Sequence, residues 1–439
     1  MLLKVHTNPA ANPGGLFFEQ ILTFISSGIM IEKISSITIF MSSQYNQEWE
    51  MRQMNKKDIA NIRKQFKLNN HLMNLREIFN VYVKKESGEI YHQVSQPFQM
   101  LDQETQELFL TNFKKVLTGN LDAKLFELKF MRDVEYSTQA ILFEGLKEKL
   151  TEDWKENMLQ VVEKMFANTV YEFDTVVTFI RGEYRKVTKK RDLESEQGGD
   201  DEVYSNEFVL CSLNKTDQPK KSLMFDYIEK EFKSYNVVDP IINLESPLSG
   251  FLFPAFNDNS ADVNRILYYS GKVNQPDINF IEEVLNCEDI ITAQEDKDSF
   301  DLILREVIGD EVDSRVISNV YEEIDKVVQE NIENEESEAP MLDYRDVERI
   351  LTVSGVENVD TAKVEHAFKS VVADETHEFK ANTLVPKSIK ISTKLADVTI
   401  NPKDLKNVKY ITYEGKRCLL LEVDEEVVVE GFRLETKTL

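Results

Sequence analysis

Residues 249–272 read SGFLFPAFNDNSADVNRILYYSGK, and this stretch decides how the rest of the chain is arranged. Between Gly250 and Phe256 it sets three rings and Leu252 around Pro254, an apolar run that must lie inside if the domain is to stay dissolved. Proline has no amide hydrogen to give to a sheet ladder, so a strand ends at Phe253 and the chain turns at Pro254. Phe256 then enters the core. Asn257, Asp258, Asn259, Ser260 and Asp262 follow, side chains that bond nearby amides and favour turns. Residues 265–269 resume a β-prone segment that ends at Gly271.

Two readings of the polar run compete. Hard cations want clustered oxygen donors, and Asp258 with Asp262 supplies two carboxylates. An Asx turn between two core strands uses the same residues with no ion. The run has no glycine at the bend and no glutamate closing the loop, so it departs from a calcium loop and the turn is favoured. No metal site is expected.

Working outward towards the N-terminus, residues 171–180 are β-branched and aromatic and read as a buried strand, answered by a second strand at 207–213. Arg181, Arg185, Lys186, Lys189, Lys190 and Arg191 form the notable basic cluster. They could attract phosphate or an acidic partner. Glu194, Glu196, Asp200 and Asp201 around Gly198-Gly199 suggest instead a self-neutralising hairpin tip. A helix is expected over 225–235 before Pro240. Earlier in the chain, Ile59, Ile62 and Phe66 place a helical stripe on 56–66, and alternation on either side of Ser87-Gly88 predicts a hairpin of 78–83 with 89–94. A helix over 102–117 would turn Leu108, Phe113, Val116 and Leu117 inward. A strand at 124–131 and two helices, 138–149 and 152–166, follow, with Thr151 as N-cap of the second.

Beyond residue 272, helices are expected over 278–285, 300–308 and 314–332, the last capped by Asp313. Residues 330–340 are acidic and end in Ala339-Pro340, the composition of a linker. A helical pair, 343–351 and 361–372, and five short β segments between 389 and 429 complete the chain. The expected fold is α+β: a mixed, largely antiparallel sheet with packed helices, plus a small C-terminal helical-pair and β-hairpin module. The main region would cover 54–335 and the module 341–439.

Several stretches are similar to one family. GFLFPAFNDNS at 250–260 and NRILYYSGK at 264–272 resemble the central signature of the bacterial family catalogued as domain of unknown function 4317. MNKKDIANIRKQFK from Met54, NFKKVLTGNLDAKLFELKF from Asn112, DEVYSNEFVLCSLN from Asp201 and TINPKDLKNVKYITYEGKRCLLLEV from Thr399 agree with it. The resemblance implies membership from Met54 to near the C-terminus and brings no activity with it. Residues 186–200 and Asn257 depart from the family pattern.

The first fifty-three residues stand apart. Residues 16–41 are apolar, but Glu19, Glu32 and Lys33 break them into runs shorter than the roughly 20 residues of a membrane helix. Lys4 alone makes a poor basic leader, and no small-residue cleavage site follows. Trp49-Glu50 is encoded TGG-GAR, which with GAG gives the purine run GGAG three codons before Met54, the place of a ribosome-binding site. The expectation is a native start at Met54, with 1–53 an upstream extension that has no fold of its own.

Composition limits the function. A net charge of −26 repels a nucleic-acid backbone, so no nucleic-acid partner is expected, and no membrane partner either. The apolar fraction of 41% is that of a folded chain. Cys211, Cys287 and Cys418 are isolated thiols, which suits a reducing cytoplasm and provides neither a disulfide framework nor a zinc site. No HExxH, GxSxG, Walker or GxGxxG spacing occurs, and no cofactor is expected. The leading expectation is an acidic cytoplasmic protein acting through contacts with a protein partner or with its own copies, in regulation or assembly. The alternative is an enzyme whose carboxylates Asp258 and Asp262 meet Arg181 or His92 only in the fold.

Overall fold

The computed structural model describes residues 53–435, apart from 189–201, 218–220, 237–238, 258–259, 310, 335–338, 373, 375 and 425. The chain opens with helix α1 (Lys56–Gln65), hairpin β1 (Met73–Val83) and β2 (Ile90–Pro97), and α2 (Gln103–Val116). Strand β3 (Leu125–Lys129) follows, then the pair α3 (Thr138–Lys147) and α4 (Thr151–Ala167). Long strands β4 (Thr175–Thr188) and β5 (Glu202–Asp217) come next. They lead to hairpin β6 (Lys221–Asp226) and β7 (Glu231–Asn236), and to the short β8 (Ile241–Ile242). The stretch quoted at the outset supplies β9 (Ser249–Phe253), β10 (Ala255–Asn257), β11 (Ser260–Asp262) and β12 (Arg265–Ser270), with the Phe253–Pro254 bond cis.

Eight of these strands make one antiparallel sheet in the order β2-β1-β4-β5-β9-β12-β3, with β8 paired to β5, while β6–β7 and β10–β11 pair separately. Strands β9 and β12 are buried along their whole length because helices cover both faces of the sheet. Neighbours along each strand therefore enter different cores. Phe251, Phe253, Ile266 and Tyr268 pack with Trp154, Met158 and Val161 of α4 on one face. Leu252, Leu267 and Tyr269 pack with Ile62 of α1 and Phe113 of α2 on the other. A register shift between Leu75 and Glu77 reverses β1 midway, so that Met73 and Leu75 face α1 whereas Phe79 and Val81 face α4.

A third core gathers α5 (Ala293–Ile308), α6 (Ser314–Glu333), α7 (Tyr344–Val353), α8 (Thr361–Val371) and α9 (Ala381–Leu384), with the short strands β13 (Met341–Leu342) and β14 (Phe379–Lys380). Asp313 caps α6 through the Arg315 amide at 2.9 Å, as its sequence position predicts. The chain ends in three hairpins: β15 (Ile389–Ser392) with β16 (Asp397–Ile400), β17 (Val408–Tyr413) with β18 (Lys416–Leu421), and β19 (Val428–Val429) with β20 (Phe432–Arg433).

The architecture is the α+β one read from the sequence, and four local expectations are corrected. The helix expected over 225–235 is hairpin β6–β7, turning at residues 227–230. The helix expected over 278–285 is present at 278–284, but from Phe280 to Val284 it is wound as a π-helix, so its type and not its existence is corrected. Thr151 is the first residue of α4 and not its cap; its hydroxyl donates to Glu77 Oε2 at 3.2 Å. Leu108 points outward, since α2 already fills its core stripe with Leu110, Phe113 and Val116. Among the described residues no helix is long and apolar enough to cross a membrane.

Candidate functional site

The residues singled out from sequence fall in separate places. Asp258 lies outside the described residues. Asp262 ends β11, opposite Ala255 across the β10–β11 hairpin. Its Oδ1 accepts the Asn264 amide at 2.9 Å, and its Oδ2 lies 3.4 Å from Arg265 Nε. Nearby, the Asn257 side-chain oxygen accepts the Ser260 hydroxyl at 2.7 Å, so local bonds close this bend.

Arg265 also faces Glu127 of β3, with Nη1 3.6 Å from Oε1. The side chains of Glu127, Asp262 and Arg265 are all nearly covered. Burial pushes the Glu127 carboxyl upward, against the downward pull of the Met54 amide, which donates to Oε2, and of Arg265. Sequence reading missed Glu127, because strand alternation marks only that a polar residue faces inward and not what it meets.

Arg181 is not on a loop. It sits in β4, on the face of the sheet that carries α4. Its Nη2 lies 2.7 Å from Glu77 Oε2, its Nη1 donates to the Glu148 carbonyl at 2.8 Å, and its guanidinium stacks on Trp154. The basic residues Lys189, Lys190 and Arg191 are outside the described residues. His92 is exposed on β2, opposite Tyr82. Arg181 and Asp262 thus serve different networks on opposite faces of the sheet, and the four candidates do not meet as one site. Among the described residues, no three His, Cys, Asp or Glu side chains are grouped for a metal ion.

A profile for a domain of unknown function, DUF4317, matches residues 54–432, nearly the whole of the described chain. The chain belongs to the DUF4317 family. No curated protein matches it.

One concave feature among the described residues of this DUF4317 chain is a cleft of about 320 Å³ beside α6 and α9, lined by Tyr321, Asp325, Val328, Ala381, Pro402 and Lys403. Lys403 Nζ and Asp325 Oδ2 meet there at 2.7 Å, and Lys387 adds a second cation to the lining. A second candidate surface of this DUF4317 chain is apolar and exposed. Hairpin β6–β7 leaves Leu223 70%, Tyr227 86%, Ile228 92% and Phe232 72% exposed. Phe225 meets Tyr227 edge-on at 5.3 Å and Phe232 at 5.2 Å, which gives the tip a defined aromatic shape. Asp226 accepts the Ile228 and Glu229 amides and pairs with Lys233 at 3.0 Å. These bonds, the Glu229 amide first, hold its carboxyl below the ordinary range. The turn is therefore fixed while its rings face water. The period-2 alternation of Leu223 and Phe225 was the signal for this hairpin in the sequence.

Proposed function

We propose that this chain is a cytoplasmic protein that works through protein contacts, in regulation or assembly, with hairpin β6–β7 as its principal contact element. The observation that carries this reading is the exposed ring cluster at residues 225–232, held by Asp226 in the hairpin that connects β5 to β8 along the chain. An isolated apolar side chain in water is ordinary; a contiguous set on a rigid turn marks a docking surface. The net charge of −26 disfavours an anionic lipid surface as the occupant and leaves a protein, either another chain or a second copy.

The carboxylate-based enzyme has less support. Asp262 is spent on Arg265 and the Asn264 amide, Arg181 on Glu77 and Glu148, and His92 stands away from both.

A photo-crosslinking residue placed at Tyr227 in the full chain, expressed in its native host, tests the contact. A discrete crosslinked partner or dimer is expected, lost in the Ile228→Ser/Phe232→Ser variant. A chain that sediments as a monomer and yields no specific crosslink sinks the reading, as does a hairpin that binds phosphatidylglycerol vesicles instead.

A further inference from the structure

Helix α1 starts without slack. Asn55 is its N-cap: its side chain accepts the Lys57 and Asp58 amides at 2.8 and 3.0 Å, and Asp58 returns the bond to the Asn55 amide at 3.0 Å. Met54 stands one residue outside. Its side chain is buried in the same core as Ile59, and the two occupy the positions of a hydrophobic staple. Ordered packing on this face of the sheet therefore reaches back to Met54 itself.

The nitrogen of Met54 donates to Glu127 Oε2, within a buried set that has two carboxylates, Glu127 and Asp262, and one guanidinium, Arg265. Arg265 does not satisfy both. Its Nη1 stays 3.6 Å from Glu127 Oε1, and that oxygen has no hydrogen bond. Lys380, the next cation that acts on Glu127, is committed to Asp122 at 2.9 Å. The set is one positive charge short, and a buried carboxylate without its countercharge is costly. An amide nitrogen brings one hydrogen and no charge. An α-amino group at the same place brings three hydrogens and the missing charge.

We infer that the mature chain begins at Met54 and that Glu127 is the receptor for its α-ammonium group. The family match starts at the same residue. The purine run that Trp49-Glu50 can encode lies where initiation at Met54 needs it. The free amine is essential to this arrangement, because a formyl or acetyl group on Met54 would remove the charge. The inference is independent of the contacts proposed for hairpin β6–β7.

Intact-mass measurement and N-terminal sequencing of the protein from its native host test the first half. A chain starting at Met54 with an unmodified amine is expected; a mass that includes residues before 54, or an acylated Met54, overturns the inference. The second half is read from the pH profile of Met54 acylation by an amine-reactive ester, followed by peptide mass. An unpaired α-amine titrates near about 8. Pairing with Glu127 moves the midpoint upward by at least about one unit, a tenfold slower reaction at a pH below it, and Glu127→Gln brings the midpoint back. Burial without pairing disfavours the charged amine and moves the midpoint downward, so a midpoint at or below the unpaired value overturns the ion pair. Should Glu127→Gln fail to fold, the midpoint of the native chain compared with the same chain in urea decides.

Discussion

Arg181 lies over the ring of Trp154, its guanidinium carbon 4.6 Å from the ring centre, while its Nη2 holds Glu77 Oε2 at 2.7 Å. Both charged side chains are nearly sealed from water, and Glu77 also accepts the Ser95 hydroxyl at 2.6 Å and the Thr151 hydroxyl. Removing one partner leaves the other charged and buried. Glu77→Ala is therefore expected to cost about 3 to 5 kcal/mol, whereas Glu77→Leu combined with Arg181→Leu costs far less. Urea unfolding of the three chains checks this; a single variant within about 1 kcal/mol of the parent would show that the pair is exposed in solution.

Gly250 in β9 is a second point of low tolerance. A Cβ there would stand 2.5 Å from the Cys211 carbonyl oxygen and 2.8 Å from Val116 Cγ1. The carbonyl belongs to the paired strand β5 and has no room to retreat. Gly250→Ala is expected to destabilise by about 1 to 3 kcal/mol through overpacking, with an unchanged urea m-value.

Asp296 gives a pH dependence. It is largely buried at the start of α5, with His377 Nε2 3.0 Å from Oδ1, and burial raises its carboxyl above the ordinary range despite His377 and Lys380. A carboxyl raised in the folded state favours folding in its protonated form. Its contribution is full below the unfolded value near about 4 and is lost as the pH rises through the folded one. Asp296→Asn should flatten the stability profile between those two values without lowering stability at neutral pH. A parallel profile for parent and variant, measured by urea unfolding, would contradict this.

The three thiols should differ in reactivity. Burial pushes the Cys211 thiol well up, and burial together with Glu288 does the same to Cys287. Cys418 on β18 is only half-buried. A disulfide reagent at neutral pH is expected to titrate one thiol in the folded chain and all three in denaturant, with Cys418→Ser abolishing the fast reaction.

Much of the sheet was legible because its strands carry apolar residues on both faces, as β9 and β12 do, and because Pro254 and Gly271 punctuate them. The misread segment shows where pattern fails. Phe225, Ile228 and Phe232 recur at helical spacing, yet Asp226 bonds the amides that a helix would use, and Lys230 takes a left-handed conformation at φ 54°. Strand order was not legible at all. Nothing local in the chain says that β3 closes the sheet beside β12 or that Glu127 thereby meets Arg265. The bend at Asn257 to Asp262 was readable from turn chemistry alone, whereas the countercharge of Asp262 depended on the fold.

Asp122 adopts φ 58° in the loop before β3 and is tied down three ways: its amide donates to the Leu125 carbonyl, its carbonyl accepts the Ala293 amide at 2.7 Å, and its carboxylate holds Lys380 at 2.9 Å. One residue thus fastens the head of α5 and the tail of β14 to the sheet. Two attachments from one residue, itself locked to the start of β3, resist torque as well as separation, so the helical layer would turn with the sheet as a single lever rather than swing on its connecting segment.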